Sequence, residues 1–306
     1  MALLETRELT VRYGGLAAND LVNLRVEAGS LVGLIGPNGA GKTTFIDAIT
    51  GFTAVSAGTV TFDGISLNEL SPDRRAHLGL ARTFQSLELF EDLTVRDNLL
   101  VAAERPRWYS FVLDLLRPGR KQAAWEAQVE RALGALDLQE WADRLPSDLS
   151  HGQRKLVGVA RALAAAPKLL LLDEPAAGLD TAESQKLGAH LRRFLTDGTA
   201  IFLIDHDMGL VLNVCDYIYV LDFGRIIAEG TPADIRKNPA VVAAYLGETA
   251  GEAQAREGTL LAASHAGGKV GGGGREHVDL LVDDSAALPV LTEADTAALE
   301  NGDDGE

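Results

Sequence analysis

The chain has 306 residues, of which 46% are hydrophobic and 24% charged, and its formal net charge is −16. This balance is typical of a folded soluble protein, and the acidic total disfavours a globally basic nucleic-acid-binding protein. No apolar run approaches the ~20 residues of a membrane span. The N-terminus lacks the pattern of a signal peptide, and the single cysteine, Cys215, fits a reducing compartment. A secreted protein and a channel are therefore disfavoured.

The first predicted elements surround a glycine-rich segment. Residues 30–35 form a short apolar run, which predicts a strand buried on both faces, as in a parallel sheet covered by helices. Residues 43–50 predict a helix. Residues 59–67 predict an antiparallel hairpin that turns at Asp63–Gly64. The stretch 94–145, in which charges alternate with Ala, Leu and Trp, predicts a helical block set into an α/β core.

Three more buried strands are predicted in the second half of the chain. They lie at residues 169–172, 200–204 and 217–221, and a hairpin turn at Asp222–Arg225 follows the last of them. The alternation of strands with helical segments predicts one α/β domain over residues 1–248.

The remaining residues, 249–306, form an acidic tail. They hold three basic and twelve acidic residues, a balance of −9, so residues 1–248 carry the other −7 of the −16. The tail also has four consecutive glycines and no Phe, Tyr or Trp. Such a composition buries too little apolar surface to offset the entropy of ordering, so we predict a disordered tail outside the folded domain.

The segment Gly36–Thr44 reads GPNGAGKTT and lies between a predicted strand and a predicted helix. This matches the phosphate-binding pattern G-x-x-x-x-G-K-[ST] in its required context. Glycines let the backbone turn its N–H groups towards a phosphate, and the helix that follows adds the positive end of its dipole. Lys42 is expected to reach the β- and γ-phosphates, and Thr43 to supply a hydroxyl to Mg²⁺.

A second motif, Leu169–Pro175, places two adjacent carboxylates at the end of a buried strand. Asp173 is positioned to hold the hydration shell of Mg²⁺, and Glu174 to polarise an attacking water. Without the phosphate-binding loop, a structural Asp-Glu-Pro turn would be an equally good interpretation. Beside that loop, the nucleotide interpretation is favoured.

Residues Leu149–Gln153 read LSHGQ. This resembles the LSGGQ signature of the ATP-binding cassette (ABC) family, the ATPase subunits of ABC transporters, with His151 in place of the first glycine. We interpret His151 as an exposed loop residue. The resemblance extends over residues 3–248. It implies an α/β fold of the P-loop NTPase type, with a RecA-like core, an N-terminal antiparallel β-subdomain and an α-helical subdomain inserted at about 94–147.

The resemblance also implies roles for individual residues. The residues for hydrolysis would be Glu174, His206 and the glutamine Gln85, and those for Mg²⁺ would be Thr43, Gln85 and Asp173. The nucleotide would be bound by Tyr13, Gly36, Asn38, Gly39, Ala40, Gly41, Lys42, Thr43, Thr44, Ser150, Gly152, Gln153 and Asp180. Tyr13 would stack on adenine, and Ser150 to Gln153 would contact ATP held by a second cassette facing the first.

Residues 79–85, 88–100, 205–208 and 238–248 are similar to the cassettes of importers for branched-chain amino acids, urea or short-chain amides, most of all to the larger of their two ATPase subunits. This implies a peripheral protein at the cytoplasmic face of the membrane. Its partners would be a second ATPase subunit, identical or different, two integral-membrane permeases and, indirectly, an extracytoplasmic binding protein. A lipopolysaccharide-type export cassette and a soluble cassette of iron–sulfur assembly are the alternatives.

Overall fold

A computed structural model describes residues 2–83, 89–104, 120–195 and 198–245 of the protein. Within these residues the strands and helices follow one another as β1 (Ala2–Tyr13), β2 (Leu16–Glu27), β3 (Leu31–Ile35), α1 (Lys42–Thr50), β4 (Ala57–Phe62), β5 (Ile65–Ser66), α2 (Pro72–His77), β6 (Leu80–Arg82), α3 (Val95–Ala103), α4 (Arg120–Ala135), α5 (His151–Ala164), β7 (Leu169–Asp173), α6 (Thr181–Phe194), β8 (Ala200–Ile204), α7 (Met208–Val214), β9 (Tyr217–Asp222), β10 (Arg225–Gly230) and α8 (Pro232–Lys237).

The smaller of the two described sheets is antiparallel, with the strand order β2-β1-β4-β5. The predicted hairpin lies in it, because Phe62 pairs with Ile65 across the turn at Asp63–Gly64. Asp63 and Gly64 both have positive φ, 50° and 76°, as a tight hairpin turn requires. The antiparallel β-layer implied by the resemblance is therefore present near the N-terminus.

The larger described sheet has the order β10-β9-β3-β8-β7-β6. The strands from β9 to β6 are parallel, and β10 pairs antiparallel with β9 across the turn at Phe223–Gly224. The central strands β3, β7 and β8 are buried along their whole length. Their continuous apolar runs are explained by this position, and the strands predicted from them are confirmed.

Alternate residues of the parallel strands serve two different layers of the core. Leu170 and Leu172 of β7 pack into a cluster with α5 and α6, whereas Leu169 and Leu171 pack into a second cluster with α1 and the antiparallel sheet. Since side chains alternate across a strand, one apolar run can fill both layers. The parallel sheet is thus the middle layer of the fold. The carboxyl ends of its strands lead into the loops that carry the predicted site residues.

Helices α3 and α4 lie where the sequence predicts a helical block, and Thr94 caps α3 by accepting the N–H of Asp97. Their buried residues, among them Leu99 and Leu133, join the cluster of α5 and α6. No helix among the described residues is both long and apolar enough to traverse a lipid bilayer. The tail 249–306 lies outside the described residues, so its disorder and the domain limits remain predictions.

Candidate nucleotide-binding site

The predicted site residues follow three neighbouring parallel strands. The loop 36–44 follows β3, Asp173 ends β7, and His206 comes directly after β8. In the sheet β8 lies between β3 and β7, so the three segments emerge side by side. The carboxyl edge of a parallel sheet is the usual place for a ligand in an α/β fold.

Lys42 begins α1, and its ammonium turns back into the loop 36–44. Its Nζ donates to the carbonyls of Gly36 and Pro37 at 2.6 and 2.8 Å. No side chain caps the N-terminus of α1, whose N-cap is Gly41. The first N–H groups of the helix and the buried cation therefore face the same loop, which is the arrangement that attracts a phosphate.

Close backbone contacts explain two of the glycines. A Cβ on Gly36 would lie 2.0 Å from the carbonyl oxygen of Leu221, and one on Gly41 would lie 2.3 Å from that of Ala18. Gly41 also has a φ of 102°, which favours glycine. Larger residues at either position would push the loop away from the strands β9 and β2 that support it.

Two hydrogen bonds hold the same loop from outside. The N–H of Gly224, in the β9–β10 turn, donates to the carbonyl of Ala40 at 2.9 Å. The side-chain amide of Asn19, fully buried on β2, donates to the carbonyl of Gly41 at 3.2 Å. Asn38, Gly39 and Thr43 are exposed at the loop's tip and at the start of α1. The loop is fixed at its base while its tip faces solvent.

Asp173 and Glu174 differ in their surroundings although they are adjacent. Asp173 is buried, and its Oδ2 accepts from Nη2 of Arg82 at 2.8 Å. Glu174 is partly exposed, and its backbone has a φ of 49°, in the left-handed region. Strained backbone of this kind occurs at functional sites, where the surroundings hold it. Here the N–H of Glu174 donates to the carbonyl of Ile204 at 2.7 Å.

The structure brings Glu174 and His206 together. Nδ1 of His206 lies 3.9 Å from Oε2 of Glu174 and 3.6 Å from Oδ1 of Asp205. Asp205 is completely buried, and it accepts the N–H groups of Ala176 and Asp207 at 3.1 and 2.9 Å. Asp205 therefore fixes the segments that carry both Glu174 and His206.

The signature residues lie at the start of α5. His151 is exposed, as expected, but it is the first residue of this helix and not a loop residue, because Ser150 caps the helix just before it. Ser150 is its N-cap, and its Oγ accepts the N–H of Gln153 at 3.2 Å while Oε1 of Gln153 accepts the N–H of Ser150 at 2.8 Å. Because the hydroxyl acts as an acceptor here, its own proton is available to a phosphate oxygen. Asp180 caps α6 in the same reciprocal way with Glu183. The prediction that these residues contact a second cassette's ATP stays a prediction.

Tyr13 ends β1, and its ring is 54% exposed. Its Oη lies 3.2 Å from Oγ1 of Thr53, beyond the C-terminus of α1. Tyr13 pairs with Leu16 on β2, two residues from Ala18, where β2 touches the loop 36–44. Adenine stacking on Tyr13 remains a prediction. Gln85 lies outside the described residues.

Three residues of this region were missed as site residues by sequence reasoning: Arg82, Asn19 and Asp205. Arg82 and Asp205 lie inside stretches already similar to importer cassettes, but the bonds they make join different elements. Arg82 donates to Asp47 of α1 as well as to Asp173 of β7. The signal that could have identified these residues is a polar or charged side chain buried next to a motif. A local sequence pattern does not show which charged residues are buried.

Comparison with known proteins identifies the family. The sequence profile described as ABC transporter matches residues 20–177, and the profile described as branched-chain amino acid ATP-binding cassette transporter matches residues 225–251. The first covers more than half of the chain and includes the loop 36–44, the signature and Glu174.

Full-length relatives agree with the profiles. The high-affinity branched-chain amino acid transport ATP-binding protein BraF of Pseudomonas aeruginosa is 40% identical over 250 residues, 80% of this chain and 98% of that protein. The corresponding protein LivG of Escherichia coli is 41% identical over 252 residues, with coverage of 80% and 98%.

Solved structures give the same answer for the fold. An ATP-binding cassette of an ABC transporter in its ADP conformation has a TM-score of 0.71 at 32% identity, covering 81% of this chain and 100% of that one. A dimeric bacterial ABC transporter cassette has a TM-score of 0.62 at 25% identity, covering 75% and 98%. The chain belongs to the ABC transporter family, and it is one of the family's ATP-hydrolysing cassettes.

Proposed function

We propose that the chain is the ATPase subunit of an importer for branched-chain amino acids or a related small polar solute. The observation that carries this proposal is the match to BraF and LivG along 98% of their length. The profile at residues 225–251 bears the same description. These similarities favour the importer over a lipopolysaccharide-type exporter and over a soluble iron–sulfur cassette.

The site supports hydrolysis by general base chemistry. The carboxylate of Glu174 would take a proton from the attacking water, and His206, 3.9 Å away, would orient that carboxylate and contact the γ-phosphate. Lys42 and the N–H groups at the start of α1 would bind the phosphates and offset their charge. The burial of Asp205 beneath both segments supports a fixed geometry for the pair.

The donor set fits Mg²⁺. Asp173 and Thr43 offer a carboxylate and a hydroxyl, and Gln85 would add an amide oxygen, all of them the hard oxygen ligands that Mg²⁺ prefers. Among the described residues no group of three or more His, Cys, Asp or Glu could enclose a metal. This fits a cation that keeps several waters and takes further oxygens from phosphates. When bound, Mg²⁺ would neutralise charge on the transferring phosphate.

A second ATPase subunit would complete each nucleotide site. Ser150 is exposed at the N-terminus of α5, which has hydroxyl and N–H donors for a phosphate. A relative is solved as a dimeric cassette, which supports this pairing. Ligand-driven closure then follows, because ATP would bind the closed pair more tightly than the open one.

A groove of about 560 Å³ beside β6 supports contact with a permease. It is lined by Phe52, by Pro72 and Ala76 of α2, by Leu80 and by Pro167. Phe52 is 59% exposed. An exposed aromatic in a mostly apolar groove is typical of an interaction site. We infer that a helix of a membrane permease occupies it, which would hold the chain at the cytoplasmic face of the membrane.

Reconstitution tests the proposed function. The chain would be purified from its host with the permeases and the second ATPase that it binds, and the complex would be placed in liposomes with a binding protein. We expect ATP-dependent uptake of labelled leucine, isoleucine or valine, and none with the Glu174→Gln variant. A complex that assembles and hydrolyses ATP but moves none of these solutes, nor urea or short-chain amides, would refute the importer assignment.

A further inference from the structure

The loop between β7 and α6, residues 174–180, packs against the first turns of α5. This loop carries Glu174 at one end and Asp180 at the other. A Cβ on Gly152 would lie 2.7 Å from Oε1 of Glu183, at the start of α6, and 3.2 Å from Cδ2 of Leu179, so α5 lies close to both the loop and the helix that follows it. The signature and the hydrolytic glutamate of one chain are therefore in the same packed unit.

Two side chains of α5 contact consecutive residues of this loop. Nζ of Lys155 donates a hydrogen bond to the carbonyl of Ala177. Nε2 of His151 lies 3.6 Å from the position that a Cβ on Gly178 would take. Because residues four apart lie on one face of a helix, His151 and Lys155 face the loop together. The residue that departs from the signature is thus part of the same contact.

The Lys155 ammonium also interacts electrostatically with two carboxylates. Burial lowers its pKa, while attraction to Asp205 and Glu174 opposes that shift. Asp205 is fully buried, and a buried carboxylate is stabilised by a nearby cation and by hydrogen bonds. Lys155 therefore contributes both a hydrogen bond to the loop and a charge facing the acids at the ends of β7 and β8.

We propose that Lys155 is a positioning residue for ATP hydrolysis: it fixes the loop 174–180, and with it Glu174, against the signature turn of α5. This inference rests on the proposed role of Glu174. The start of α5 is expected to contact ATP held by the second subunit. Lys155 would therefore transmit the engagement of that ATP to the glutamate of its own site, by way of one helix turn and one loop.

Lys155→Met removes the bond and the charge while keeping a linear side chain, and Lys155→Arg keeps both. Arg154→Met is the matched control, because Arg154 is the preceding residue of α5 but pairs with Glu91 instead of the loop. Each variant is made in the full-length chain and purified together with its partner subunits, and the ATPase activity of that complex is measured. Glu174→Gln is measured in the same series.

We expect Lys155→Met to lower kcat at least tenfold, with KM and the Kd for a fluorescent ATP analogue within twofold of wild type. Amide hydrogen exchange in a peptide covering 174–180 should rise at least fivefold. Lys155→Arg should restore both, and Arg154→Met should change neither. A loss of kcat that Arg154→Met shares, or one matched by an equal loss of nucleotide affinity, would overturn the proposal.

The comparison with Glu174→Gln separates the two assignments. If Glu174→Gln stays active, the role proposed for Glu174 fails. If Glu174→Gln is inactive and Lys155→Met hydrolyses ATP at the wild-type rate, only the role of Lys155 fails. Should Lys155→Met not fold, Lys155→Ala also removes both the bond and the charge. A wild-type kcat in that variant would equally overturn the proposal.

Discussion

The guanidinium of Arg82 donates a hydrogen bond of 2.8 Å to the carboxylate of Asp173, and both side chains are almost completely buried. The same guanidinium donates to Asp47 of α1 at 2.5 Å, so it connects α1, the helix after the loop 36–44, with β7, the strand that ends at Asp173. The two carboxylates differ in exposure, because the side chain of Asp47 is 28% exposed and that of Asp173 is 4% exposed.

That difference predicts unequal effects on stability. Arg82→Met leaves Asp173 buried and unpaired, which should lower the free energy of unfolding by about 3 kcal/mol. Asp47→Asn removes only the more exposed of the two ion pairs of Arg82 and should lower the free energy of unfolding by about 1 kcal/mol. Urea unfolding of the full chain measures both. Equal losses of unfolding free energy in the two variants would contradict the expectation that the more buried ion pair contributes more to stability.

Glu174→Gln should abolish turnover while sparing ATP binding, because it removes proton transfer and little else. We expect kcat to fall by at least ~100-fold, within the range for loss of a general base. With ATP and Mg²⁺ the variant should elute from a sizing column as a stable dimer of cassettes. Glu69→Gln, at an exposed position between β5 and α2, is the control. Normal turnover in Glu174→Gln would exclude Glu174 as the base.

Lys42→Ala should weaken nucleotide binding itself. The ammonium is held inside the loop by the carbonyls of Gly36 and Pro37, which points it at the space that phosphates would fill. We expect the Kd for ATP to rise at least tenfold, or ~1.4 kcal/mol. Equilibrium titration with a fluorescent analogue measures it, with Lys237→Ala, at an exposed position at the end of α8, as control. An unchanged Kd would count against phosphate contact by Lys42.

Cys215 should be inert in the folded protein. Its side chain is buried, and burial raises the pKa of the thiol. A raised pKa means that the thiol stays protonated at pH 8, where a free cysteine already forms some thiolate, so alkylation needs unfolding. We expect no reaction with a thiol reagent at pH 8 in buffer. In about 6 M guanidinium, which unfolds the chain, we expect one equivalent of reagent to be incorporated. Fast native labelling would contradict this environment.

Removal of residues 249–306 should leave hydrolysis intact. The site elements described above lie within residues 2–245, and the tail contributes −9 of the net charge of −16. We expect kcat and KM within twofold of the full chain, together with weaker binding to an anion-exchange column. A large loss of ATPase activity would assign the tail a regulatory or structural role.

The parts of the site that sequence reasoning identified are those with local signals. A continuous apolar run predicts a doubly covered strand such as β7, because every residue of it is buried. The glycines and Lys42 of the loop are recognisable since they must lie close together in the chain. That these segments meet at one edge agrees with the usual position of a site at a sheet's carboxyl edge. The order β3-β8-β7 has no local signal in the sequence.

The parts that it missed depend on which elements meet. Arg82 reaches Asp173 because β6 pairs with β7, with Arg82 opposite Leu171. Lys155 reaches Ala177 because α5 packs on the following loop. The left-handed backbone of Glu174 is another example, since glutamate carries no local preference for a φ of 49°. Pairing, packing and strain are properties of the folded chain.

The hydrogen bond from Gly224 to Ala40 has a consequence for biosynthesis. The loop is translated early, but the strand carrying Leu221 and the turn carrying Gly224 follow it about 180 residues later. A nascent chain that still lacks these residues has the phosphate-binding motif but not the backbone contacts that hold the loop in shape. We therefore expect the loop to reach its folded shape only after Gly224 has been synthesised, and a truncated product ending before Gly224 would lack this support.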